Sequence, residues 1–244
     1  MPNEQLKVIA IMTRKGGAGK TALARALMSV IIADGKRCIA IDADPQQALF
    51  RWWDSVTTVN PDVASTAPGL RVMGIESPSE LESIIDEAYE NDTADFVIID
   101  TMGAGGQWAD ELAVHSDNIV LPMMLSDTDM RIATDTYNWY QGLYERAEDP
   151  SALPKLTVVL SRVDKNPSNA MRAMAREANA KFPVIEELFM DRKQHADVDR
   201  EGLFHQISKW RTENPNPLMR THARLYDEAL DEAREILSLV LEAE

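Results

Sequence analysis

Arg14-Lys15-Gly16-Gly17-Ala18-Gly19-Lys20-Thr21 is the stretch that decides the fold. It follows an apolar run, Val8–Met12, and precedes a helix-forming stretch of small residues, Thr21–Ala33. A strand, a glycine-rich turn and a helix in this order place backbone N–H groups and a helix N-terminus around a phosphate. The stretch therefore predicts a phosphate-binding loop between the first strand and the first helix.

This loop differs from the common pattern G-x-x-x-x-G-K-[ST] at its beginning. Gly19-Lys20-Thr21 matches the end of the pattern, but Arg14 stands at the first glycine. Lys15 adds a second lysine directly before Gly16-Gly17. Two lysines on either side of Gly-Gly-x-Gly are a far more specific signal than a single glycine-rich turn, so we expect this loop to bind nucleotide phosphates.

The composition sets limits on the fold and on the partners. The chain has 244 residues, 45% of them hydrophobic, which is enough for one α/β domain with a sizeable core. The formal net charge is −15, so binding to nucleic acid or to an anionic membrane requires a local basic patch. Cys38 is the single cysteine, which excludes an intramolecular disulfide and a multi-cysteine metal site and fits a reducing compartment.

Short apolar runs alternate with helical patterns along the chain. We predict strands at Lys7–Met12, Arg37–Asp42, Leu70–Gly74, Phe96–Asp100, Asn118–Pro122 and Leu156–Ser161. We predict helices near residues 20–33, 46–56, 79–90, 107–114, 129–147 and 168–181. This alternation predicts an α/β fold over residues 1–244: a single-domain P-loop NTPase with a mostly parallel, twisted sheet and helices on both faces.

A last helix, about Leu218–Leu241, follows the Pro-rich segment 214–217. Its apolar residues recur at helical spacing, which favours packing on the domain. Its polar face is mainly acidic, whereas a membrane-surface helix carries Lys and Arg there, so we expect no stable membrane binding. No apolar run reaches the length of a membrane span, and the first residues lack the features of a signal peptide. We therefore expect a cytoplasmic protein.

Carboxylates stand at the ends of three predicted strands. Asp42 and Asp44 end one strand, and Asp100 ends another; Asp127 and Asp129 follow a third. In open α/β sheets this edge binds ligands, although a single Asp at a strand end is often a helix cap. Downstream of a phosphate loop, Asp44 and Asp100 are better read as site residues. For Asp42, Asp127 and Asp129 both interpretations stay open.

The strand that ends at Asp100 matches the Walker B pattern, an apolar strand closed by one Asp. In that pattern the carboxylate supports the Mg²⁺ shell, usually through water, while the Thr of the phosphate loop ligates the metal directly. Thr21 and Asp100 are thus the predicted metal-site residues.

These elements together resemble the ParA/MinD family of deviant Walker A ATPases. The similarity rests on the loop 15–21, on Asp42-Ala43-Asp44-Pro45-Gln46 and on Ile98-Ile99-Asp100-Thr101. It implies an ATP-dependent homodimer with two nucleotides and Mg²⁺ between the subunits. It also implies nucleotide contacts from Gly16, Gly17, Ala18, Gly19, Lys20, Thr21, Ala22, Ser161 and Arg162.

The resemblance implies a role for each catalytic residue. Lys20 holds the β/γ-phosphates of its own subunit's nucleotide. Lys15 crosses to the partner subunit's nucleotide and neutralises charge in the transition state, as an arginine finger does. Asp44 orients the attacking water. Lys15, Gly16 and Asp129 form part of the dimer interface, where Asp129 pairs with Lys15 when no dimer is formed.

Within this family the chain is most similar to the VirC-type ATPases, which accompany DNA transfer through type IV secretion. The residues that carry this similarity are Leu49-Phe50-Arg51-Trp52 after Asp44, residues 88–91 and 122–125, and the segment from Asp197 to Phe204. VirC-type proteins gather transfer DNA and its relaxase near the secretion machinery. Ordinary plasmid partition remains the competing role, and an adaptor or activating partner protein is implied in either case.

The end of the sixth strand departs from the family pattern. Members often carry Asn there to read adenine, whereas this chain has Ser161. Ser161-Arg162-Val163-Asp164 also weakly resembles the Asn-Lys-x-Asp motif of GTPases. ATP remains the favoured nucleotide, but the choice of base is less well supported than phosphate binding.

A local basic island makes DNA the predicted macromolecular ligand. Residues 155–181 contain six basic residues against two acidic ones, and Arg172 and Arg176 share a helix face. Such phosphate contacts bind DNA without reading its sequence, although a run of charge is often only a solvated surface. The candidate DNA contacts are Arg162, Lys165, Arg172, Arg176 and Lys181. A second candidate strip consists of Lys209, Arg211, Arg220 and Arg224.

The sequence thus predicts a slow, Mg²⁺-dependent ATPase that acts as a positioning switch, with a homodimer that binds DNA non-specifically. One alternative is a MinD-like or cargo-positioning adaptor without direct DNA contact. A metabolic P-loop enzyme, such as a small-molecule kinase or an amide ligase, is a third possibility, against which Lys15 argues.

Overall fold

One parallel sheet organises the molecule. The structure, a computed structural model, describes residues 2–14, 17–103 and 107–243. The strands of this sheet are β1 (Lys7–Ile11), β2 (Cys38–Ala43), β3 (Leu70–Gly74), β4 (Phe96–Thr101), β5 (Asn118–Met123), β6 (Lys155–Val163) and β7 (Phe189–Met190). Their order is β3-β2-β4-β1-β5-β6-β7, and every pairing is parallel. All carboxyl ends therefore meet at one edge, with β1 and its following loop at the centre.

Helices cover both faces of this sheet. They are α1 (Lys20–Ala33), α2 (Ala48–Val59), α3 (Pro61–Ser65), α4 (Pro78–Asn91), α5 (Gln107–Val114), α6 (Asp127–Arg146), α7 (Asn169–Lys181), α8 (Gln194–Glu201), α9 (Phe204–Thr212) and α10 (Pro217–Glu242). The residues of β1 alternate between two cores: Ile9 and Ile11 pack with α1, α2 and α8–α10, whereas Val8 and Ala10 pack with α4–α7. This alternation follows from the period of two in a strand.

The final helix, α10, lies against α1 and α9. Tyr226, Ile236 and Val240 on its inner face are buried, and the side-chain amide of Asn118 donates to the Val240 carbonyl at 3.0 Å. In the described residues no helix combines the length and the apolar character that crossing a bilayer requires.

The predicted fold class is confirmed, and the differences concern short elements. The strand β7 and the helices α3, α8 and α9 were not predicted. β7 has two residues, too few to show a period, and α8 buries a single apolar side chain, Val198, within a charged octapeptide. The helix predicted near 129–147 begins two residues earlier because Ser126 caps it: its hydroxyl accepts from the Asp129 N–H at 3.1 Å.

Candidate nucleotide-binding site

The phosphate loop joins β1 to α1 through backbone that glycine adopts most easily. Gly17 and Gly19 have φ angles of +83° and +92°, where a side chain is strained. Ala18 between them is buried, and its carbonyl accepts a 2.9 Å hydrogen bond from the Ser161 hydroxyl. The carboxyl end of β6 is therefore hydrogen-bonded directly to the backbone of the phosphate loop. Lys15 and Gly16 lie outside the described residues, so their predicted roles stay predictions.

Ser161, a predicted nucleotide contact, bonds to the phosphate loop, and its contact with a nucleotide stays a prediction. It is fully buried, and its hydroxyl proton is donated to the Ala18 carbonyl. The next residue, Arg162, has a φ of +52°, and its side chain is half exposed. A Cβ on Gly19 would lie 3.8 Å from Ser161 Oγ and 3.9 Å from Arg162 Cγ, so both side chains pack next to this glycine of the loop.

Thr21 and Asp100 meet at the centre of the sheet edge. β1 pairs with β4 so that Ile11 lies beside Asp100, which brings the Walker B carboxylate under the first turn of α1. The Thr21 hydroxyl donates to Asp100 Oδ2 at 2.6 Å. Burial raises the pKa of Asp100 to about 6, and within the described part of the chain its buried Oδ1 has no hydrogen-bond partner.

This pair of oxygen ligands fits a magnesium ion that is shared with phosphate. Mg²⁺ prefers oxygen ligands and is commonly held by one or two protein groups together with substrate phosphates and water. The orphaned Oδ1 of Asp100 is an acceptor of the required kind. Across residues 2–14, 17–103 and 107–243 no group of three or more His, Cys, Asp or Glu side chains could hold a metal ion by itself.

Lys20 begins α1 directly after the loop, and its side chain is buried. Burial lowers the pKa of Lys20, while the negative charges of Asp100 and Asp44 act in the opposite direction. The Lys20 ammonium group therefore interacts electrostatically with both carboxylates. An anionic ligand bound at the loop would interact favourably with the positive charge of this ammonium group.

Two aspartates at the carboxyl end of β2, Asp42 in the strand and Asp44 just after it, have different surroundings. Asp42 is fully buried; its Oδ2 accepts from the N–H groups of Leu49 and Phe50 at 2.7 and 3.0 Å, and its Oδ1 accepts from Asp44 N–H at 3.1 Å. Asp42 is thus bonded to the first turn of α2, in the manner of a helix cap. Asp44 is only half-buried, and its Oδ1 accepts from Gln46 N–H at 2.9 Å. Its carboxylate stands at the open edge beside the loop.

Asp129 lies in the first turn of α6, where it is 4% exposed. The Ser126 hydroxyl donates to the Asp129 carboxylate and accepts from the Asp129 N–H, so the two residues bond reciprocally at the helix N-terminus. Asp127, two residues earlier, is exposed. The predicted contact between Asp129 and Lys15 remains a prediction because Lys15 is not described.

The candidate DNA contacts lie on the surface beyond β6. Lys165, Arg172, Arg176 and Lys181 are exposed, the last three of them on α7. Lys181 is paired with Glu177 at 2.6 Å, and Arg162 lies 3.7 Å from Asp191. Arg172 and Arg176 have no carboxylate partner within salt-bridge distance in the described part of the chain. The same holds for Lys165, so these three cations are the phosphate-contact candidates of this set that no described carboxylate neutralises.

The second basic strip is not a continuous surface. Arg211 is largely buried: it pairs with Glu201 at 2.8 Å, and its guanidinium lies 4.7 Å from the centre of the Tyr226 ring. Arg224 is exposed but pairs with Glu228 at 3.0 Å. The link that Arg211 makes between α8, α9 and α10 was not predicted, because its partners are distant in sequence.

This fold and this site define a P-loop protein with the ParA/MinD fold. Residues 6–244 match the model of the protein family described as VirC1 protein. The chain belongs to the VirC1 family, which confirms the predicted subgroup.

Individual relatives agree with this assignment. The Protein virC1 of Rhizobium rhizogenes is 28% identical over 241 residues, which are 98% of this chain and 99% of that protein. The maintenance of carboxysome distribution protein A of Gloeobacter kilaueensis is also 28% identical, over 91% of this chain and 93% of its own length. A solved structure of pnob8 ParA superposes with a TM-score of 0.67 at 17% identity, covering 96% of this chain and 99% of the ParA chain.

Proposed function

We propose that the protein binds ATP with Mg²⁺ at the phosphate loop and hydrolyses it slowly. The observation that carries the proposal is the 2.6 Å hydrogen bond between the Thr21 hydroxyl and the Asp100 carboxylate. It lies next to Lys20, whose side chain is buried. Thr21 and Asp100 would hold the metal, and Lys20 would bind the β/γ-phosphates. Mg²⁺, when bound, would neutralise charge on the phosphates. Ser161 and Arg162 would contact the nucleotide, and the phosphates would be lined by Gly16, Gly17, Ala18, Gly19 and Ala22.

The second part of the proposal is a homodimer that forms around ATP. Lys15 would reach the partner subunit's nucleotide, Gly16 would lie at the interface, and Asp129 would hold Lys15 while the protein is monomeric. Asp44 would orient the attacking water, which is compatible with its half-buried position at the open edge. Hydrolysis would then separate the subunits.

The third part is that the dimer binds DNA non-specifically and works as a positioning switch. Arg172 and Arg176 on α7 support this, with Arg162, Lys165 and Lys181 as neighbouring contacts. The similarity to the Protein virC1 of Rhizobium rhizogenes and to a carboxysome distribution protein supports a positioning role. The cargo would be plasmid DNA in partition, or transfer DNA with a relaxase at a type IV secretion system. An adaptor or activating partner protein would trigger hydrolysis.

The competing function is a cargo-positioning adaptor without direct DNA contact. It uses the same nucleotide cycle but transfers the signal through a protein partner. The acidic polar face of α10 speaks against a membrane-binding form of this alternative.

Sedimentation velocity of wild type, Asp44→Ala and Lys15→Ala with ATP tests the cycle. We expect Asp44→Ala to persist as an ATP-bound dimer, because the dimer forms but hydrolysis is blocked. Lys15→Ala should still bind ATP, but it should lose either dimer formation or ATP hydrolysis. Monomeric Asp44→Ala at saturating ATP would contradict the dimer, and equal turnover of Lys15→Ala and wild type would contradict the role of Lys15.

A further inference from the structure

Arg25 is a buried cation on α1, one helical turn beyond Thr21. Its side chain is only 13% exposed. The guanidinium carbon lies 4.5 Å from the centre of the Trp52 ring on α2, and the group forms an ion pair with Asp199 on α8. Arg25 is thus the point at which the phosphate-loop helix, α2 and α8 meet.

Trp52 is held on two sides. Its ring faces the Arg25 guanidinium, and its indole N–H donates to the Val198 carbonyl of α8 at 2.9 Å. The residue is 6% exposed. A planar guanidinium stacks on an aromatic face and can pair with a carboxylate at the same time, which a lysine ammonium does less well. The guanidinium of Arg25 therefore contacts the same α2 side chain that bonds to the backbone of α8.

Asp44 lies in the segment that leads from β2 into α2 and is bonded to the start of this helix. The Gln47 N–H donates to the Asp44 carbonyl at 2.8 Å. Asp42 bonds to Leu49 and Phe50 in the first turn of α2 and to the backbone N–H of Asp44. A displacement of α2 would therefore be transmitted to the segment that carries the Asp44 carboxylate.

A role in fold stability alone accounts poorly for this arrangement. A desolvated charge costs free energy, and apolar groups of similar size often join helices equally well. Arg25 Nε is buried and has no hydrogen-bond partner within the described residues, and burial lowers the pKa of Arg25 to about 10. The contacts that the Arg25 guanidinium does make are with Trp52 of α2 and Asp199 of α8.

We propose that Arg25 is a positioning residue for ATP hydrolysis: through Trp52 and Asp199 it holds α2, and thereby Asp44, at a fixed place relative to the phosphate loop. This inference rests on the proposed function. The side-chain contacts of Arg25 are with Trp52 and Asp199, so we expect the rate of the chemical step to depend on Arg25 more strongly than the affinity for ATP does.

The test compares Arg25→Met, Arg25→Lys and Asp199→Asn with a control variant on α10 that acts on the other end of α1. Arg234→Met removes an ion pair of 2.9 Å between α10 and Asp34 at the other end of α1, far along the helix from the loop. Each variant is measured for kcat and KM with ATP, for urea unfolding and for amide hydrogen exchange at Leu49 and Phe50.

We expect Arg25→Met to lower kcat about tenfold to a hundredfold with KM within a factor of about two, because small displacements of catalytic groups have effects of this size. Exchange at Leu49 and Phe50 should accelerate, Arg25→Lys should restore kcat only partly, and Asp199→Asn should fall between Arg25→Met and wild type. Arg234→Met should lose stability and keep kcat.

Unchanged kcat in Arg25→Met, with a stability loss like that of Arg234→Met, would overturn the proposal and leave the ATPase function intact. If wild type itself hydrolyses no ATP, the proposed function fails. The exchange rates at Leu49 and Phe50 then decide about Arg25, and rates equal to those of wild type would overturn its role in holding α2. Should Arg25→Met not fold, Arg25→Lys and Asp199→Asn give the same comparison.

Discussion

The Thr21 hydroxyl donates a 2.6 Å hydrogen bond to Asp100 Oδ2, which joins the first turn of α1 to the carboxyl end of β4. The two residues are 79 positions apart in the chain. Their contact follows from the pairing of β1 with β4, which sets Ile11 beside Asp100. Two side-chain oxygens of the kind that Mg²⁺ prefers therefore lie together beside the phosphate loop.

Replacing Lys20 by Ala should weaken ATP binding by about tenfold to a hundredfold or more, since hydrogen bonds to charged groups contribute roughly 1.5–3 kcal/mol. Isothermal titration with ATP measures this directly. Lys36→Ala, an exposed lysine just beyond α1, is the control and should bind like wild type. Equal affinities of wild type and Lys20→Ala would contradict the assignment of the phosphate loop.

Asp100→Asn should remove most of the dependence of ATP affinity on Mg²⁺. The amide keeps an acceptor for the Thr21 hydroxyl but lacks the negative charge that supports the metal shell. ATP affinity is compared with and without Mg²⁺. Asp95→Asn removes a carboxylate directly before the same strand, where Asp95 pairs with Arg37 at 2.9 Å, and should leave the effect of Mg²⁺ intact. An unchanged Mg²⁺ effect in Asp100→Asn would place the metal elsewhere.

His195 should make the fold less stable in mild acid. Burial lowers the pKa of His195 to about 4 from 6.5, and its Nε2 is buried without a hydrogen-bond partner in the described part of the chain. The ring lies between Phe189 and Phe204, with centroids 4.6 and 5.4 Å away. Between about pH 4 and pH 6.5 the His195 ring is therefore protonated in the unfolded chain and neutral in the folded state.

The sign follows from this difference. The neutral ring contributes fully to the free energy of unfolding above about pH 6.5, and this contribution is lost as the pH falls towards 4. Between pH 7 and pH 5 the free energy of unfolding should fall by about 2 kcal/mol for this reason. Urea unfolding at both pH values measures it. His195→Leu should show a smaller loss by this amount, while the exposed His222→Leu should behave like wild type. The same pH dependence in wild type and His195→Leu would refute the prediction.

Arg172→Glu combined with Arg176→Glu should weaken DNA binding and reduce its dependence on salt. The slope of log affinity against log salt should fall by about one for each phosphate contact that is lost. Fluorescence anisotropy with a mixed-sequence duplex at several salt concentrations gives this slope. Arg71→Glu on β3, at the opposite edge of the sheet, is the charge-reversal control. An unchanged slope in the double variant would mean that DNA binds to a surface other than α7.

Much of the site could be predicted because its residues stand next to strong local signals. Asp100 ends an apolar strand and Lys20 follows a glycine, so their positions at the sheet edge follow from the fold class. Whether Asp42 is a helix cap or a site residue stayed open in the sequence, because the answer depends on α2, whose residue Leu49, seven positions further on, donates to the Asp42 carboxylate.

Contacts between distant segments were beyond prediction for the same reason. Arg25 and Asp199 are 174 positions apart, and α8 has no apolar stripe that would reveal its place against Trp52. The support of the loop by Ser161 also depends on packing, since the hydroxyl meets the Ala18 carbonyl only after β6 has taken its place beside β5.

DNA binding by wild type with ATP, with ADP and without nucleotide shows directly whether the protein is a DNA-binding switch controlled by ATP. The affinities are measured at several salt concentrations. We predict binding with ATP that weakens steeply with salt, and affinities at least about tenfold lower with ADP or without nucleotide, a coupling of ordinary size for two linked sites. Equal affinity in all three states, or no DNA binding with ATP at low salt, would contradict the account.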